Sequence, residues 1–293
     1  MIDYNPHHWW DHFFDIRGSM VREITVRVLT CVAWSGLVVW FHTHVRAVAM
    51  PVTVHSLVGL ALGLLLVFRT NASYDRFWEG RRQWGNIVNA TRNLARAARP
   101  HLSATPDLYR ELVHWTIAFP FATMNRLRGT RGFGESTLAL PADKVTRVQG
   151  AQHPAVACAA EISAVLMNAR EAGLIGEFTQ MMLDGYVQQL IDALGACERI
   201  HSTPLPFAYM VHLRRALVLY CFSLPFAIVE QFRWETVPVI LFIAYTFFGI
   251  EEIGVEIEDP FGEDANDLPL DRFCKGIEAT LLSLIPQEQV AEA

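Results

Sequence analysis

Six carboxylates occupy fifteen positions in the stretch IEDPFGEDANDLPLD, residues 257–271. Oxygen atoms at that density suit a hard cation, which takes about six to eight oxygen ligands. They suit equally a hinge, a protein contact or a solvated loop. The spacing is not that of an EF-hand, because the D-x-D-x-D-G pattern is absent. Pro260 and Gly262 interrupt any helix here, and carboxylates beside such a break can cap the next helix or pair with arginines of the basic run at 69–99. A second set, His7, His8 and His12 with Asp11 and Asp15, has spacings that could hold a metal. Its competing reading is that HHWWDHFF forms an amphipathic helix at a membrane interface, where Trp is favoured.

A third set is apolar. Leu60, Leu64 and Phe68 recur every four residues and therefore share one stripe of a helix. Gly59 and Gly63 form a GxxxG on the neighbouring stripe, which lets another helix backbone approach closely. One reading is lipid-facing leucines beside a packing groove. The other is a pore lined by apolar rings, one from each subunit of a closed oligomer. Such rings gate ions by dewetting, because removing a hydration shell without replacing it is costly. Periodicity does not choose between the two.

Two further features are polar. His55, inside the same apolar run, is expected to hydrogen-bond between helices. Glu251, Glu252 and Glu256 either line a cation vestibule or mark where a helix leaves the bilayer. No Gly-rich phosphate loop, nucleophile elbow or Ser/His/Asp ordering is present, so nothing supports an enzyme. Five scattered cysteines, none in a CxxC pair, give no support to zinc or thiol-redox chemistry.

The elements that position these sets are those of a membrane protein. Charged residues make up 18% of the 293 positions against about 25% in soluble chains, and the hydrophobic fraction is 52%. A net charge of −6 gives no reason to expect nucleic acid. Four apolar runs predict transmembrane helices: 28–41 (extendable to Ile24), 47–68, 216–232 and 237–250. The first and last are shorter than an ideal span, which fits helices that tilt, break or pack inside protein. Arginines cluster before the first run, after the second and before the third, while the linkers 42–46 and 233–236 carry one each. By the positive-inside rule both termini and the long middle segment are cytoplasmic. That middle segment reads as helical over 74–99, 107–126, 141–147, 154–172 and 178–200, with Pro100 ending the first stretch.

The blocks FRTNASYDRFWEGRRQWG and IEDPFGEDANDLPLD, with IRGS at 16–19 and LPFAYMVHLRRALVLYCF at 205–222, resemble the bestrophin family, specifically its bacterial members. The blocks follow in the expected order over nearly the whole chain, and PFGED is the most specific of them. The resemblance implies an all-α membrane protein with four transmembrane helices in two hairpins and a large cytosolic helical region. It further implies a homopentamer around one axial pore. The matching parts are an N-terminal segment 1–23, transmembrane helices in 24–73, a cytosolic region 74–205, transmembrane helices in 206–256, and the acidic motif with a C-terminal helix in 257–293.

In that family three residues of the second transmembrane helix, four apart, line a narrow neck, matched here by Leu60, Leu64 and Phe68. Animal members carry more aromatic side chains there, whose ring edges can favour anions, whereas leucines cannot. A cytosolic aperture of one apolar residue falls at Phe178 by an ungapped count back from LPFAYMVH. The acidic run is part of a calcium clasp in animal members. Asp264 and Asp267 match ligand positions, Asp259 stands where the clasp has Asn, and Ala265 and Asn266 replace an acidic pair. Calcium is therefore not expected as a cofactor, and none other is implied. The implied function is passive conduction of small monovalent ions across a bacterial inner membrane, chloride by family name and cations such as sodium by the leucines and nearby acids. Membrane lipids and the ions are the expected partners. A non-conducting scaffold or regulatory binding protein is the alternative, and a metal-dependent membrane enzyme using Asp259, Asp264 and Asp267 is a third reading.

Overall fold

The computed structural model describes His7 and residues 18–134, 137 and 139–286. Apart from His7, the HHWWDHFF stretch lies outside these residues, and so does its metal or interfacial role. Among the described residues the chain forms helices α1 Val21–His44, α2 Val52–Ala98, α3 Pro106–Arg128, α4 Ala142–Gly150, α5 Pro154–Glu171, α6 Glu177–Ser202, α7 Phe207–Phe232, α8 Thr236–Glu256 and α9 Leu270–Leu282. A 3₁₀ turn, Arg233–Glu235, joins α7 to α8. No strand occurs among these residues. The chain falls into two compact units. One holds Met1–Phe77, Pro204–Asp259 and Asp264–Asp267; the other holds Trp78–Thr203, Pro260–Glu263 and Leu268–Ala293.

The first unit carries the apolar helices. Among the described residues three stretches are long and apolar enough to cross a membrane: α1, α2, and Phe207–Glu256, which contains both α7 and α8. The two spans expected to be short are full-length. At 24 and 21 residues, α1 and α8 reach about 36 and 31 Å. The missing turns lie in charged sequence, and those charges are paired inside the protein. Arg27 of α1 bonds Glu252 at 2.5 Å, and Arg214 of α7 bonds Glu251 at 2.9 Å. Pairing offsets the cost of burying a carboxylate, so the helices extend through positions that hydropathy excludes.

The unit's core follows helical spacing. Val28 and Cys31 on α1, Leu62 and Leu66 on α2, Leu213, Leu217, Cys221 and Leu224 on α7, and Ile240, Ala244 and Phe248 on α8 form one buried cluster. Polar groups inside it find partners. The Trp34 indole donates to the Phe222 carbonyl at 2.9 Å, and the Tyr209 hydroxyl donates to that of Leu65 at 3.0 Å. His55 Nε2 pairs with Ser223 Oγ at 3.0 Å, the interhelical bond expected of it.

The second unit packs the rest of α2 with α3 to α6 and α9. Its largest buried side chains include Trp84, Ile87 and Leu94 of α2 and Trp115, Phe119 and Leu112 of α3. The boundaries of α3 to α6 fall within three residues of those read from sequence. One organisational reading is corrected. The second apolar run and the helix at 74–99 are a single helix of 47 residues, about 70 Å long. Between Phe68 and Tyr74 the chain reads RTNAS, without Gly or Pro, so a change from apolar to polar surroundings gives no reason to stop winding. At its other end α2 begins at Val52, and residues 47–51 precede it, Pro51 fixing the start.

Candidate functional site

Helix α2 holds the apolar stripe. At 3.6 residues per turn, Leu57, Leu60, Leu64, Phe68, Asn71 and Asp75 fall within about 80° of one another, and all are exposed. Leu60 is 75% exposed, Leu64 55% and Phe68 57%. The opposite face, with Leu62, Leu66, Arg69 and Ser73, is buried. A single chain therefore leaves uncovered the three side chains that the family resemblance places in a neck. Other helices also leave apolar side chains uncovered, among them Leu219 of α7 and Phe242 of α8, as lipid contact requires. Within one chain Gly59 and Gly63 do not make a close helix crossing. A Cβ at Gly59 would stand 2.6 Å from the Tyr220 hydroxyl, whereas Gly63 faces open space. The first glycine makes room for a side chain. In the second unit, Phe178 occupies the first turn of α6 and is 87% exposed.

Behind the exposed stripe, α2 holds a buried arginine that no local sequence pattern singles out. Arg69, directly after Phe68, is 1% exposed. Its Nη2 donates to Glu258 Oε2 at 2.6 Å and its Nη1 to Ser73 Oγ at 2.9 Å. Glu258 Oε1 accepts the Leu205 backbone N–H at 2.9 Å, and the Glu258 carbonyl accepts from Arg76 Nε at 3.1 Å. One glutamate thus ties α2, the segment before α7 and the end of α8. The signal was present as IED at the end of an apolar run, and the arginine pairing expected of this loop names the right partner class. What sequence could not give is which of six carboxylates meets which arginine. Gly254 lets Arg69 pass, since a Cβ there would stand 3.4 Å from Arg69 Cγ.

The acidic loop is divided between jobs. Pro260 and Phe261 lie against Gly80, each with a carbon 3.0 Å from where a Cβ would be. Arg128 donates to the Phe261 carbonyl and to Asp271 Oδ2, the latter at 2.7 Å. Asp267 is buried and accepts the Asp264 backbone N–H at 2.8 Å. The Asn266 side-chain nitrogen donates to the Gly18 carbonyl at 3.1 Å and to Glu256 Oε1 at 3.2 Å. A carboxylate at 266 could donate neither bond, which gives a physical reason for the departure from the animal pattern. Among the described residues, no three His, Cys, Asp or Glu side chains stand together as a metal's ligands. Asp259, Asp264 and Asp267 are neighbours in the loop without forming such a set.

Glu251 and Glu252 are buried and bound to arginines, so they do not line an open vestibule. The five cysteines are free and buried.

Burial pushes the Asp267 carboxyl up to about 6; the Asp264 N–H opposes this, and the charges of Asp264, Asp259 and Glu256 add to it. A folded-state value above the unfolded one means that the folded form binds more protons between about pH 4 and 6. Stability from this group is therefore greatest at low pH and is lost as pH rises to about 6. Asp267→Asn retains an acceptor oxygen and removes the titration. Thermal unfolding in detergent should show the variant gaining on the wild type from pH 4 to 6 and staying above it at pH 7.5. A constant difference across that range would contradict the assignment.

The family model described as "Bacterial/Fungal Bestrophin protein" matches residues 1–283. A voltage-dependent anion channel-forming protein of Synechocystis sp. is 41% identical over 96% of this chain and 93% of its own length. Its namesake in Escherichia coli K12 is 31% identical over 99% and 96%. A crystal structure of a bacterial bestrophin homologue from Klebsiella pneumoniae superposes with a TM-score of 0.85 at 35% identity, covering 90% of this chain and 99% of that one.

Proposed function

The chain belongs to the bacterial and fungal bestrophin family, and on that premise we propose that it is a passive channel for small monovalent ions, not an enzyme. Five copies surround one axial pore in this reading. Leu60, Leu64 and Phe68 of each copy form a hydrophobic neck, and Phe178 forms a cytosolic aperture. The observation that carries the reading is the exposed stripe on α2, whose opposite face is fully packed. Leucine and phenylalanine rings offer an ion no replacement for its water, so they set a barrier that rises as the ring narrows. Conduction through such a neck needs no cofactor. The relatives are named for anions. In this chain Leu60 and Leu64 lack the positive ring edge of an aromatic, so these two rings give anions no advantage over cations such as sodium.

Four membrane helices, α1, the apolar part of α2, α7 and α8, make two hairpins in an inner membrane. The arginines at 17–27, 69–82 and 214–215 keep both termini and the middle segment cytoplasmic. The acidic loop serves as a structural joint, held by Arg69, Arg76 and Arg128. Purified protein in liposomes should release a trapped salt gradient passively. A scaffold would leave the gradient standing, and stoichiometric co-purification of a cytosolic protein would favour that alternative.

A further inference from the structure

We propose that Asp75 forms a carboxylate ring on the inner side of the neck and sets the channel's preference for cations; this rests on the pore reading above. Asp75 follows Phe68 by seven residues on an unbroken helix, so it lies about 20° from Phe68 around the axis and about 10 Å further along. Asn71 lies between them on the same face. Whatever space Leu60, Leu64 and Phe68 face, Asn71 and Asp75 face next.

The charge balance around that position is uneven. Asp75 is exposed and has no hydrogen-bond or ion-pair partner among the described residues. Two nearby cations on the same helix are directed elsewhere. Arg69 is buried against Glu258 and Ser73, and Arg76 donates to the Glu258 carbonyl. Further on, Arg82 is occupied by Glu79 at 3.3 Å. Arg69 and Arg76, the arginines nearest Asp75, thus point their charge away from the open face, and the exposed Arg82–Glu79 pair two turns further in adds no net charge, so Asp75 contributes an uncompensated negative one. The glutamates first suspected of this role, Glu251 and Glu252, are neutralised by Arg27 and Arg214.

In a symmetric assembly each subunit supplies one such carboxylate to a single ring. A ring of like charge at a narrow, low-dielectric opening concentrates counter-ions and repels co-ions. The leucine rings above it discriminate by dehydration and have no sign of their own. Asp75 supplies the sign.

The test uses full-length protein in planar bilayers with asymmetric NaCl. Wild type should prefer sodium near 0.1 M salt and lose much of that preference near 1 M, where the Debye length falls from about 10 to about 3 Å. Asp75→Asn should lower the sodium-to-chloride permeability ratio at least about threefold at 0.1 M. Asp75→Glu should keep the wild-type ratio, and Asp75→Lys should favour chloride. Unchanged ratios in both Asp75→Asn and Asp75→Lys, with currents that still respond to Leu64→Ala, would overturn the role of Asp75 alone. Absence of any wild-type current would overturn the pore reading and this inference together.

Discussion

Replacing Glu258 by alanine will cost the folded protein about 3–5 kcal/mol, as loss of one partner of a buried ion pair does. Arg69 is sealed from solvent, and the Glu258 side chain is 15% exposed. Without the carboxylate the guanidinium keeps Ser73 as its one recorded partner and remains a buried charge. Two further attachments change as well. The Leu205 N–H loses its acceptor, and the loop that holds the Glu258 carbonyl against Arg76 loses its fixed point. Thermal unfolding followed by loss of the folded oligomer in detergent reads this directly. The double variant Arg69→Met, Glu258→Leu should recover much of the loss, because similar apolar volume fills the site without an orphaned charge. A Glu258→Ala protein as stable as wild type would show that the pair is incidental. Because Arg69 is bonded to Phe68 in the chain, the single variant should also conduct with less uniform open levels than wild type.

Leu64→Ala and Phe68→Ala will each raise single-channel conductance several-fold. In the proposed oligomer alanine removes most of the side chain from every subunit at once, so one substitution widens an entire ring and lets water enter. Lowering the crossing barrier by only ~1 kcal/mol multiplies the rate about fivefold. Exposed side chains are not holding the monomer together, so stability in detergent should change little. Large conductance change with small stability change separates a pore-lining residue from a packing one. The control lies one face away: Leu66→Ala, at a buried position, should destabilise the protein by about 2–5 kcal/mol through cavity formation. Unchanged currents in both Leu64→Ala and Phe68→Ala would refute the neck.

Much of this was legible in the sequence because apolar periodicity records what each helix buries. The stripe of Leu60, Leu64 and Phe68, the helices of the middle segment and the interhelical role of His55 followed from spacing and composition. Three things did not. The full lengths of α1 and α8 were hidden because hydropathy counts Arg27, Glu251 and Glu252 as breaks, although pairing lets them remain in helices. The continuity of α2 was hidden because a polar stretch looks like a boundary even when it holds no helix breaker. The pairing of Arg69 with Glu258, 189 residues apart, has no local signature, since several arginines and six carboxylates were equally available. Asp75 was overlooked for the related reason that its importance comes from what its neighbouring arginines bind instead.

The most direct test is the current carried by purified full-length protein in planar bilayers with NaCl on both sides at different concentrations. Passive, unitary currents are expected, with a reversal potential on the cation side of zero and an amplitude that rises in Leu64→Ala. Reconstituted protein that is folded yet passes no current, in wild type and in Leu64→Ala alike, would contradict the channel reading.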